Sequence, residues 1–172
     1  MVTELYDISP AYIDKDKNGN TVMNKNNLIG NTHWVLSVNR DISLAELSVF
    51  LKELTDKKHQ KDGMHPDDKD IYFIYSDTLN QQNAFVKLPF RKVSLDFPPE
   101  IEPELKVRYL YNVSNIKDFE EKFSETTAIQ EPYEKIYIDF SKGMKVEDFM
   151  NILIELEKEN ISGNVSEEVY VY

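Results

Sequence analysis

Two stretches of this chain, Trp34–Leu54 and Ile136–Leu156, align without a gap at an offset of 102 residues. Trp34-Val-Leu-Ser-Val falls on Ile136-Tyr-Ile-Asp-Phe, Ile42 on Met144, Leu44 on Val146, Leu47 on Phe149, Leu51 on Leu153 and Leu54 on Leu156. The first run of each copy is short and β-prone; the second places apolar residues at helical spacing, which gives a helix with one buried face. Each copy is followed by another β-prone run, Ile71–Tyr75 or Val169–Tyr172. The repeated unit is therefore strand, connector, helix, strand, and it restricts the fold to one that accommodates two such arms.

Local signals sharpen the outline. Ser43-Leu-Ala-Glu46 is a capping box that opens the first helix, since the Ser hydroxyl and the Glu carboxylate each satisfy a first-turn amide. Asn18-Gly19, between Ala11–Asp14 and Thr21–Met23, marks a hairpin turn. Strands are expected at Ala84–Phe90 and Val93–Phe97, with Pro89 confining the first to an edge or a bulge. Phe97–Glu104 reads as a linker and Val107–Tyr111 as a strand. Asn115 caps a short helix on Ile116, Phe119 and Phe123. The expected fold class is α+β: a mixed or mostly antiparallel sheet shared by the two arms, with about three helices. Residues 1–32 form an N-terminal arm with a hairpin. Residues 33–172 form one domain of two β–α–β arms, 33–77 and 135–172, with 78–134 inserted between them.

Composition limits the chemistry. The 172 residues carry 31 acidic and 20 basic side chains, a net charge of −11, which opposes nucleic-acid binding. The acidity is lopsided: residues 1–97 hold 14 acids and 12 bases, residues 98–172 hold 17 and 8. That second half suits a cationic partner or simple solubility. No cysteine is present, so disulfides, thiolate metal sites and a cysteine nucleophile are excluded. The N-terminal residues lack a signal-peptide pattern, and no apolar run approaches bilayer length, so no membrane insertion by this chain is expected.

Few residues group as chemistry requires. Asp14, Asp16 and Asn18, with Gly19, imitate the opening of a calcium loop, but its twelfth position is Lys25 and the hairpin accounts for the same residues. His59, His65, Asp62, Asp67 and Asp68 crowd one polar loop without zinc spacing. His33 has no nucleophile motif to serve, and the acid pairs Glu120-Glu121 and Asp148 with Glu155 are what an acidic chain produces by chance. We therefore expect no catalytic residue, cofactor or metal. Tyrosine is the remaining signal, at 72, 75, 109, 111, 133, 137, 170 and 172, because it serves both strands and interfaces. The terminal run Glu167, Glu168, Val169, Tyr170, Tyr172 alternates and reads as an edge strand able to pair with a partner.

The two arms resemble the soluble periplasmic domain of the ExbD/TolR biopolymer-transport proteins. Ile42-Ser-Leu-Ala-Glu-Leu47, with Ile71–Asp77, matches the family's first helix and strand; Lys135–Met150, through Ile161, matches the second. Together they cover under half the chain, and the family's membrane helix and its aspartate, the insertion and residues 1–32 fall outside the match. The resemblance implies a non-enzymatic interaction module that docks a protein partner or a second copy at a sheet edge. It implies the cell envelope where an anchor precedes the chain, and the cytoplasm otherwise. The alternative is a free-standing acidic inhibitory protein, of the immunity or anti-defence type, that blocks a basic surface.

Overall fold

A computed structural model of the chain describes residues 4–59, 69–77, 82–100, 107–124 and 134–172. The fold is α+β. Strands β1 (Ile8–Lys15), β2 (Thr21–Asn24), β3 (His33–Val38), β4 (Ile71–Asp77) and β5 (Gln82–Lys87) form a mixed sheet in the order β2-β1-β3-β4-β5. Strands β6 (Lys92–Ser94), β7 (Val107–Val113), β8 (Lys135–Phe140) and β9 (Glu168–Val171) form a parallel sheet in the order β6-β9-β8-β7. The helices are α1 (Leu44–Lys58), α2 (Ile116–Ser124) and α3 (Val146–Lys158).

The expected α+β class, with a mixed sheet and three helices, is observed, but the two arms do not share one sheet: each lies in its own. Parallel pairing predominates because a strand–helix–strand crossover returns its second strand in the direction of the first. The repeat is also longer than the alignment suggests. β1 runs parallel to β3 as β7 runs parallel to β8, so each half has a three-stranded parallel core, β1-β3-β4 or β7-β8-β9. Residues 1–32 supply β1 and β2, joined by a turn in which Gly19 takes φ +81°. The strand expected at Ala84–Phe90 ends at Lys87, before Pro89, and β6 is shorter than the Val93–Phe97 run. These two strands pair with the last strand of each half, β5 on β4 and β6 on β9, so residues 82–94 tie one sheet to the other.

One core joins the halves. Repeat-equivalent side chains are buried alike: Ile42 and Met144, Leu47 and Phe149, Leu54 and Leu156. Phe149 of α3 meets Phe73 of β4 edge-on at 6.1 Å and Phe140 of β8 at 5.2 Å. The Ser43 hydroxyl accepts the Glu46 amide, and Glu46 accepts the Ser43 amide, so the capping box forms. Glu46 also pairs with Lys15 of β1 and accepts from Thr21 of β2. Asn115 caps α2 by accepting the Asp118 amide. Among the described residues no helix is long and apolar enough to cross a membrane.

Candidate functional site

Alternation along the parallel sheet divides its residues between two faces. Leu110, Ile136, Ile138, Phe140, Val169 and Val171 point into the core and are buried. Tyr109, Tyr111, Tyr137, Asp139, Tyr170 and Tyr172 point the other way. The helices lie on the inner side: Arg108 of β7, next to Tyr109 and on the opposite face, donates to the Lys122 carbonyl of α2, and Phe119 of α2 joins the core. No described helix covers the outer face.

That face is aromatic and ordered. Tyr109 and Tyr137 are neighbours in register, their rings parallel and 5.0 Å apart; Tyr111 stacks on Tyr109 at 5.7 Å. The Lys135 ammonium sits 4.9 Å from the Tyr137 ring centre, and its bond to the Tyr137 hydroxyl raises its pKa. Across the sheet Phe97, 78% exposed, leans on Tyr172 at 4.9 Å. A groove of about 540 Å³ runs along this side, lined by Arg91, Lys92, Pro99, Lys135, Tyr137, Ser166, Glu167, Glu168 and Tyr170. Lys92 pairs with Glu168 at 2.6 Å, which raises the lysine's pKa.

Asp139 lies within this surface. It is beside Tyr170 in register and only 5% exposed, and burial raises its pKa to about 6. Its charge in turn helps raise the pKa of Tyr170 and of Tyr172, after burial as the main cause in both. No side-chain hydrogen bond among the described residues reaches the Asp139 carboxylate. Burying a carboxylate without donors is costly, and the raised pKa is the consequence.

The five residues singled out at the C-terminus are placed differently from expectation. β9 is an interior strand, with β6 on one side and β8 on the other, so Glu168–Val171 has no open edge for a partner strand. The residues Lys92–Ser94 that close it are too few and too distant in sequence to show in a periodicity. Val169 is 2% exposed and faces the core, out of reach of a partner. Glu167, Glu168 and Tyr170 do line the groove, and Tyr172 adjoins it through Phe97. Sequence reading overlooked Asp139, although an acid two positions after Tyr137 in an apolar strand falls on the tyrosine side.

Other candidates resolve into structural roles. Asp16 accepts the Asn18 and Asn20 amides at 2.8 and 2.9 Å, which stabilises the hairpin turn, and Asp14 accepts from Asn39, just after β3. His33 Nδ1 accepts the Asp70 amide at 3.0 Å, and burial lowers its pKa. Asp148 accepts the Ile116 amide, tying α2 to α3, while Glu155 pairs with Lys158. Asp62, His65, Asp67, Asp68 and Tyr133 lie outside the described residues. Tyr72 and Tyr75 belong to the other sheet. A smaller depression of about 240 Å³, near His59 and Pro89, is rimmed by the ion pairs Lys87–Asp70 and Arg91–Glu167. Comparison with family models, curated proteins and solved structures finds no match to this chain.

Proposed function

We propose that this chain is a non-enzymatic protein-interaction module that docks a cationic partner on the outer face of its parallel sheet. One observation carries the reading. Parallel sheets are ordinarily covered on both sides; here the second side is a set of stacked tyrosines that no described helix covers. Rigid rings with a hydroxyl contribute contact area at small entropic cost, which suits a docking surface. Charge favours a basic partner over a second copy, because two chains of net charge −11 repel one another. The mode differs from strand addition. β9 is enclosed, and the edge of β7 is bulged between Leu110 and Val113, with Lys122 donating to the Tyr111 and Asn112 carbonyls. A role of this kind is also what the resemblance to the ExbD/TolR soluble domain implies.

The test is affinity capture from the source cells with three baits: wild type, Tyr109→Ser/Tyr137→Ser, and Tyr12→Ser on the other sheet, where Tyr12 is 54% exposed. A basic partner held by wild type and Tyr12→Ser but lost by the double variant is the expected result. Equal capture by all three overturns the reading.

A further inference from the structure

We infer that the outer face accepts an arginine side chain of the partner, its guanidinium seated on Asp139 beside Tyr170 and Tyr172. This rests on the docking reading and adds the chemistry of the contact. Asp139 is only 5% exposed, points to the tyrosine side of β8, and its carboxylate receives no hydrogen bond among the described residues. Two cations of this sheet are otherwise occupied: Lys92 holds Glu168 at 2.6 Å, and Lys135 lies over Tyr137. Among the described residues no cation offsets the rise that burial causes in the pKa of Asp139. The site therefore has a largely buried carboxylate whose acceptors are unused among the described residues, bordered by aromatic rings.

A guanidinium answers each of these features. It forks two N–H donors onto a carboxylate, stacks flat on a tyrosine ring, and gives up water more easily than an ammonium does. The acidic surroundings, net −9 over residues 98–172, draw such a group in from a distance. Replacing Asp139 with Asn keeps the shape and removes the buried charge, so the variant is expected to fold.

The probe is the peptide acetyl-Arg-Gly-Arg-Gly-Arg-amide, with its lysine and citrulline counterparts, titrated into the full chain and followed by NMR. The arginine peptide is expected to shift the amides of residues 137–140 and 170–172 and to lower the titration midpoint of the Asp139 carboxyl carbon. Asp139→Asn is expected to weaken binding by about tenfold or more, and Glu147→Gln, an exposed acid on α3, to leave it within about twofold. Citrulline is expected not to bind, and lysine to bind several-fold more weakly. Binding by Asp139→Asn within about twofold of wild type, equal binding of citrulline, or shifts confined to other residues overturns the inference. Loss of the captured partner by Tyr109→Ser/Tyr137→Ser with full retention by Asp139→Asn leaves the docking reading standing and removes the arginine contact alone.

Discussion

Ser43 and Lys145, which occupy the same position in the two repeats, face each other across an isolated antiparallel β-bridge. Such a bridge relates its two residues by a local twofold, so the repeats meet about an axis that passes between them. Two further bonds reinforce the junction: the Leu44 amide donates to the Met144 carbonyl at 2.9 Å, and the Ala45 amide to the Lys142 carbonyl at 3.1 Å. These are first-turn amides of α1, which a helix cannot satisfy within itself. The second half of the chain therefore helps cap the helix of the first.

That junction makes the amides of Leu44 and Ala45 slow to exchange. In native-state hydrogen exchange they are expected to show protection of about 1,000-fold or more, set by global opening and not by fraying of a helix end. Rapid exchange at both positions would show that the two repeats are not joined there.

Phe149 touches Phe73 of the first sheet and Phe140 of the second, and is 2% exposed. Phe149→Ala is expected to cost about 3–5 kcal/mol in chemical denaturation. Because one core serves both halves, Trp34 fluorescence and far-ultraviolet circular dichroism are expected to report one coincident transition. Separate transitions would assign each sheet its own cooperative unit.

Asp139 binds its proton more tightly folded than unfolded, with a pKa raised from 3.8 to about 6. Stability is therefore lost as pH rises from about 4 to about 6, and the penalty is complete above that window. The full penalty is on the order of 2–3 kcal/mol. Asp139→Asn is expected to gain that stability at pH 7.5 and to lose the advantage by pH 4, as measured by urea denaturation of both proteins. A variant less stable than wild type at pH 7.5 would contradict the assignment.

Glu46 has the opposite sign. Its bonds from Lys15, Ser43 and Thr21 lower its pKa from 4.5 to about 2. Its contribution is full above about pH 4.5 and is lost as pH falls from there towards 2. Glu46→Ala is expected to flatten the acid limb of the stability curve. Ser43→Ala, which removes the reciprocal half of the cap, is expected to cost about 1 kcal/mol at neutral pH. An unchanged acid limb would exclude this network from the acid response.

Hydrophobic spacing made α1 and α3 legible, because each helix repeats one buried stripe and α1 begins at a capping box. The same spacing could not tell which surface covers each stripe. Leu47 and Phe149 read identically whether their helices lie on one sheet or, as here, in a core shared by two. The interior position of β9 depends on Lys92–Ser94, three residues more than 70 positions away in the chain. Tyrosines 109, 111, 137, 170 and 172 were visible as strand residues, but only the parallel register of β7, β8 and β9 brings them to one face. Asp139 was hidden for a related reason: a lone acid in an apolar strand shows no partner until its neighbours are placed.

The outer face of the parallel sheet is tested most directly by photo-crosslinking in the source cells, with p-benzoylphenylalanine at position 109 and, separately, at position 12 of the other sheet. The account predicts a discrete adduct with a basic protein from position 109 and none from position 12. An adduct from position 12, with none from position 109, would contradict it.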